Sequence, residues 1–211
     1  MMYAKVVAVQ LVSWLGYDVL FQDVDVVWFQ NPLGIVQGLH TSFDMLFQDD
    51  GAQSVRYKPF QANSGFYYVR HNERTRFLLV RMLYAGDTIA MCASHQQALN
   101  ALLAEHASLY GLRVKTLEAD DFPGGFHFHR NHEFMRDIIA KRRSPVSFHM
   151  SWTKHKTHKI EFLQQMGWWY VSEDGSCLAE PLVSCHYRDK PSVRPCTDSP
   201  PLDKNGQSFW T

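Results

Sequence analysis

Val19-Leu20-Phe21-Gln22-Asp23-Val24-Asp25-Val26-Val27-Trp28 is the stretch on which the reading of this chain turns. Val19 to Phe21 is a short apolar run of the kind that forms a buried strand, and it ends on two carboxylates. Val26 to Phe29 continues the strand until Asn31-Pro32 breaks it. In extended backbone, residues i and i+2 point to one side, so Asp23 and Asp25 project together from the strand end. Two adjacent carboxylates repel each other unless a cation lies between them. Their oxygens suit hard divalent ions such as Mg or Mn, which also take phosphate oxygens. The plain alternative for a bare D-x-D is a solvated turn after a strand.

Working outward, Ala4 to Gly16 carries valines at helical spacing and suits a core helix buried on much of its circumference, with a strand as the competing reading. Met1 to Lys5 followed by Val6 to Gly16 also has the outline of a signal segment, but Gln10 and Ser13 interrupt it and no small-x-small site follows. The run is too short to span a membrane, which takes about 20 apolar residues. Downstream, strands are expected at Phe43 to Phe47, Gly65 to Val69, Leu112 to Leu117, Val146 to Met150 and Trp168 to Val171. Helices are expected at Glu73 to Leu83, Gln96 to His106, Asn131 to Lys141 and Thr157 to Met166. Glu118 to Phe128 reads as irregular, and from Ser172 onward Pro and Ser replace any periodicity. Strands alternating with helices indicate an α/β domain with a mostly parallel sheet flanked by helices. In such sheets ligands bind at the carboxyl ends of strands, where Asp23 and Asp25 lie.

The chain has 211 residues, enough for one domain that needs neither disulfide nor metal to fold. Lys+Arg and Asp+Glu are 21 each, which argues against a nucleic-acid partner held by a basic surface and against a polybasic membrane binder. Of the four cysteines, Cys92, Cys177, Cys185 and Cys196, none form a CxxC pair; a disulfide within the tail and free thiols are both open readings.

Several further segments, taken in order, carry a resemblance. Gly16 to Trp28 with Asn31-Pro32-Leu33 resembles the D-x-D segment of the nucleotide-diphospho-sugar transferase family, the group that includes plant and algal rhamnogalacturonan xylosyltransferases and extensin arabinosyltransferases. Gln61-Ala62-Asn63-Ser64-Gly65-Phe66-Tyr67-Tyr68-Val69-Arg70 resembles its N-S-G-F-Y strand. Gln96-Gln97-Ala98-Leu99-Asn100 resembles its D-Q-x-x-x-N helix, and Phe122-Pro123-Gly124-Gly125 its F-x-x-G loop. His149-Met150-Ser151-Trp152-Thr153 with Lys156 and Lys159 is similar to its H-x-x-W…K segment. The match covers roughly residues 5 to 171, with the tail from 172 outside it.

The resemblance implies a GT-A-like fold and transfer of a sugar, pentoses included, from a nucleotide diphosphate such as a UDP-sugar to a glycan or glycoprotein, with Mn2+ or Mg2+, in the Golgi lumen. Asp25 would touch the metal, Asp23 the ribose or a metal-bound water, and His149 would be the late third ligand. Asn63, Ser64 and Gly65 would line the sugar pocket; Trp152 would stack; Lys156 would neutralise diphosphate charge. His95, Gln96 and Asn100 would serve the reacting centre.

Two departures temper this. The acid expected at the head of the D-Q helix is His95 here, with Asp87 or Glu118 to Asp121 as substitutes. Only 22 residues precede Asp23, where a GT-A domain has two or three β-α units, so the nucleoside half is expected to be missing and a non-catalytic remnant or partner module is the alternative. A rival metal signal is His127-x-His129-x-x-His132 with Glu133, whose spacing suits zinc if His127 and His129 share one side of a strand.

Overall fold

The computed structural model describes residues 2–153 and 155–183. They form two compact units, one of residues up to 123 with 145–149, the other of 124–144 with the described residues from 150 on. Of the tail cysteines, Cys185 and Cys196 lie outside the described residues, while Cys92 and Cys177 are free.

The first unit opens with α1 (Met2–Trp14), then β1 (Val19–Gln22), β2 (Val26–Trp28), α2 (Leu33–Leu39), β3 (Met45–Asp49), a 3-10 turn at Val55–Tyr57 and β4 (Ala62–Val69). α3 (Glu73–Tyr84), α4 (Gly86–Cys92), α5 (His95–Leu109), β5 (Val114–Thr116) and β6 (Ser147–His149) complete it. The main sheet has the order β1-β4-β3-β5. β4 runs antiparallel to both β1 and β3, and β3 runs parallel to β5. The α/β class is as expected, and the sheet is mixed: β1, β3 and β5 share a direction and β4, inserted between two of them, opposes it. β4 is buried along its whole length, which is why its sequence is aromatic without polar alternation.

One face of the sheet packs Met45, Phe47, Tyr67 and Val69 against Val6 and Val9 of α1, Leu78 and Met82 of α3 and Leu99 and Leu103 of α5. The other packs Leu46, Phe66 and Tyr68 with Leu117 and Phe122 against Ile35, Val36 and Leu39 of α2. The alternation Met45, Leu46, Phe47 distributes β3 between the two cores, as the period of two requires. α1 buries Val6, Val9, Gln10 and Ser13 but leaves Leu11, Val12 and Trp14 exposed, so it is covered on one side and not most of its circumference.

Three expectations change. Val26 to Trp28 does not prolong β1; it forms β2, paired antiparallel with β6 in a separate two-stranded sheet. α2 and α4, which the sequence left unassigned, are short helices of 7 residues each, too brief for periodicity to declare. Trp168 to Val171 is no strand: only a single bridge, Val171 to Cys177, marks it.

The second unit holds α6 (Gly125–Arg130), α7 (His132–Ile139) and α8 (Lys156–Gln165). Phe128 meets Phe162 edge-to-face at 4.6 Å, and Phe162 meets Trp168 at 5.7 Å. α6 occupies part of what reads as irregular sequence, started by backbone rather than by a capping side chain of its own, since Gly124 has none.

The end of the sheet at the start of β3 is fastened by Asp44, whose side chain is fully buried. Its carboxylate accepts bonds from Arg74 Nε and Nη2, both at 2.8 Å, from Arg113 N at 2.9 Å and from Asn72 Nδ2 at 3.0 Å. Asn72 in turn caps α3, accepting from Thr75 N at 3.1 Å while Thr75 Oγ1 accepts from Asn72 N. Burial pushes the Asp44 carboxyl up, but the hydrogen bonds from Arg74 and Arg113 outweigh it and hold it well below the usual carboxylate range.

Asp44→Ala is expected to destabilise the protein by about 3 kcal/mol, measured by denaturant unfolding, because β3, β5 and the α3 cap lose a shared acceptor. A native carboxyl held below its unfolded value contributes stability that is complete above the ordinary aspartate value of 3.8 and is lost as the pH falls below it. The stability gap between wild type and Asp44→Asn should therefore close on acidification below that value.

Candidate functional site

At the opposite end of the sheet, β1 and β3 finish and β4 begins. Asp23 is the first residue after β1, and its N–H still donates to Gly65 O at 2.6 Å, extending the β1–β4 ladder by one step. Val24 and Asp25 then turn the chain toward β2, with Val24 fully exposed at the tip. β2 lies beside β6 with Val26 opposite His149. The two acids thus flank a turn between two sheets, where an unbroken strand is expected from sequence, yet their carboxylates converge with His149. Ligand atoms of Asp23, Asp25 and His149 all lie within 4.8 Å of one another. His149 Nε2 is 3.4 Å from Asp25 Oδ1, and the His149 side chain is almost entirely buried. Two carboxylates and an imidazole this close together could hold a divalent metal ion.

Gly65 sits in the middle of this cluster. A Cβ there would lie 2.6 Å from His149 Cε1, 2.8 Å from Asp23 Oδ2 and 3.1 Å from Asn63 Oδ1. Only glycine allows the acid and the imidazole to close over the strand backbone. Asn63 Oδ1 accepts from Gly65 N at 2.7 Å, and its Nδ2 donates to the buried Asp50 at 2.8 Å, so Asn63 is fixed on both sides. Ser64 differs: its Oγ and N both donate to Gln96 Oε1, at 3.1 and 3.0 Å, which ties it to α5.

Gln96 and Asn100 spend their amides on β4. Asn100 Oδ1 accepts from Ala62 N at 2.9 Å, and its Nδ2 donates to Ala62 O at 2.8 Å and Gln96 O at 3.0 Å. These contacts hold 62–64, the strand beside the cluster. His95, at the head of α5, is buried with neither ring nitrogen bonded. Burial, and then the charge of Lys5, push its pKa down, against the opposing charge of Asp23. Two further participants escaped the sequence reading. Lys5 Nζ of α1 lies 2.5 Å from Asp23 Oδ1. Gln48, 1% exposed, places Oε1 2.7 Å from His149 Nδ1. A polar residue directly after Met45-Leu46-Phe47 was the available signal for Gln48; nothing in sequence joins Lys5 to Asp23.

Trp152 and Lys156 belong to the second unit. Trp152 is partly exposed, at positive φ, with its ring parallel to that of His129 at 6.4 Å. Gly125 passes against it: a Cβ there would meet Ser151 O at 2.4 Å. Lys156 is exposed in the first turn of α8. The zinc alternative loses its geometry, because His127 and His129 lie on helix α6, where i and i+2 diverge. His127 is buried against Phe134 at 4.5 Å and accepts from Gly124 N. Among the described residues, Asp23, Asp25 and His149 are the only group of three or more such side chains close enough to share an ion. No helix among them is long and apolar enough to cross a membrane.

The chain is similar to several known glycosyltransferases. The chain is 28% identical over 189 residues to UDP-D-xylose:L-fucose alpha-1,3-D-xylosyltransferase 3 of Arabidopsis thaliana, covering 80% of this chain and 46% of that protein. It is 26% identical over 170 residues to Beta-arabinofuranosyltransferase RAY1 of the same plant, covering 74% and 31%. Against UDP-galactose:fucoside alpha-3-galactosyltransferase of Dictyostelium discoideum it is 26% identical over 174 residues, covering 75% and 26%. It therefore spans less than half the length of these relatives. The family model described as nucleotide-diphospho-sugar transferase matches residues 1–163. That match covers well over half of the chain, and the chain belongs to the nucleotide-diphospho-sugar transferase family.

Proposed function

We propose that this chain carries the metal and donor-sugar centre of a glycosyltransferase that moves a sugar, a pentose among the choices, from a UDP-sugar to a glycan or glycoprotein acceptor in the Golgi lumen. The observation that supports this most is the convergence of Asp23, Asp25 and His149 around Gly65 at the carboxyl end of β1. Asp25 and His149 would hold Mn2+ or Mg2+, with Asp23 turned toward the ribose or a metal-bound water. The ion, when bound, supplies charge stabilisation to the departing nucleoside diphosphate.

The remaining work falls to the chain itself. Asn63, clamped by Asp50, presents a fixed amide beside the cluster for a sugar hydroxyl. Gly65 lets the donor approach the strand backbone closely. Gln96 and Asn100 hold that backbone still, a positioning role that fits the loss expected from small misplacements at a reacting centre. The family resemblance would give the exposed Lys156 a role in neutralising diphosphate charge and Trp152 a role in stacking; both belong to the second unit.

One observation favours a second reading, a binding module without turnover: His95, where the family resemblance leads one to expect an acid, is buried with no partner for either nitrogen. Turnover separates the two. Metal-dependent UDP binding without transfer across a panel of UDP-sugars sides with the binding module.

Asp25→Ala is expected to abolish transfer and to remove the Mn2+ dependence of UDP binding, measured by calorimetry with and without a chelator; unchanged transfer overturns the catalytic reading. Gly65→Ala should retain a cooperative thermal transition but drive Asp23 and His149 apart, lowering turnover about 100-fold.

A further inference from the structure

Gln48 is a buried amide with both donors assigned and its oxygen paired. Its Nε2 donates to Phe122 O at 2.8 Å and to Pro123 O at 3.1 Å. Both partners are main-chain carbonyls, which only accept, so the amide nitrogen must face them and the oxygen must face away. That oxygen lies 2.7 Å from His149 Nδ1. An amide oxygen also only accepts, so Nδ1 must be the protonated nitrogen of the ring. The neutral imidazole then carries its lone pair on Nε2, the nitrogen on the Asp25 side of the ring.

The ring has no easy way out of this orientation. Pro123 O accepts the His149 backbone N–H at 3.1 Å as well as the Gln48 amide, so one carbonyl holds both the residue and its partner. Cε1 is pressed toward Gly65 on the remaining side. Flipping the amide would set its oxygen against two carbonyls and leave buried acceptors without donors, a cost on the order of 1–3 kcal/mol for each.

We propose that Gln48 is a positioning residue that fixes His149 in its Nδ1–H tautomer and thereby presents Nε2 to a divalent cation shared with Asp25 and Asp23. The inference rests on the metal site advanced under Proposed function and adds to it a residue outside every segment that carries the family resemblance. Loss of such an outer partner typically weakens metal binding about 10- to 100-fold.

The test uses the whole chain, freed of metal. Histidine-ring nitrogen NMR on the wild type at mildly alkaline pH, with His149 assigned by its disappearance in His149→Gln, should show Nδ1 protonated and Nε2 bare. An Nε2–H ring, or an average of the two tautomers, overturns the proposal. Mn2+ affinity, read from the free-ion EPR signal, should fall about 10- to 100-fold in Gln48→Leu. Gln48→Glu keeps an acceptor for Nδ1 but loses the donors to Phe122 and Pro123. Its second oxygen then faces the two carbonyls, so it should retain the tautomer and bind Mn2+ more tightly than Gln48→Leu without needing to match wild type, whereas a residue needed only to anchor those carbonyls would fail equally as Leu and as Glu. If Gln48→Leu does not fold by circular dichroism, the wild-type tautomer and the Glu variant decide. If Asp25→Ala leaves Mn2+ affinity unchanged, the metal site falls and this proposal with it. If Asp25→Ala weakens binding and folded Gln48→Leu does not, this proposal alone falls.

Discussion

The missing side chain at Gly65 is the constraint around which the rest of the site is built. β4 is the one strand that contacts both β1 and β3 while running against them. Its first half must therefore pass directly beneath the carboxyl ends of both neighbours. A strand in that position would ordinarily raise a side chain between them. With none at 65, an acid from β1 and an imidazole from β6 meet over bare backbone at distances no Cβ would permit. Around this gap the buried amides of Asn63, Asn100 and Gln48 and the half-buried oxygen of Gln96 are committed, so the floor of the site is held by hydrogen bonds whose loss in a largely dry interior costs more than their formation gains.

The two ends of the sheet divide their labour. At one end, Asp44 takes charge from Arg74 and Arg113 and ties β3, β5 and the cap of α3 together. Its charge is fully matched and its oxygens are occupied, so it fastens and offers nothing to a ligand. At the other end, Asp25 and Asp23 are partly open and share a histidine. Both are strand-end aspartates in sequence, and only the company each keeps separates structural from chemical use.

Much of this was legible beforehand, for identifiable reasons. β3 and β4 are buried apolar runs bounded by polar residues, and α3 and α5 have clear helical spacing, so burial announces them; β1 is an apolar run too, but it is an edge strand with Leu20 exposed and not the buried strand expected. Asp23, Asp25 and His149 came from motif order, and their ligand atoms lie within 4.8 Å of one another. What stayed hidden depends on long-range pairing. That β2 leaves the main sheet for β6 is a contact across more than a hundred residues, invisible to local pattern. α2, α4 and α6 are short enough that tertiary packing outweighs propensity. Ser64 and Gln96 both lie in recognised segments, but only the fold reveals that they bond each other.

The ion pair between Lys5 and Asp23 gives the cluster a threshold. An ammonium 2.5 Å from Asp23 Oδ1 already supplies one positive charge to the acids. A monovalent cation arriving there gains little, since it offers only what the lysine gives at no entropic cost of association. A divalent ion brings twice that charge to the same donors, so it competes with the lysine more strongly than sodium or potassium does. Discrimination between ion valences would then arise from a residue of α1 that binds no ion at all, and filling the site would free the Lys5 side chain from the strand end while Val6 and Val9 keep α1 packed on the sheet.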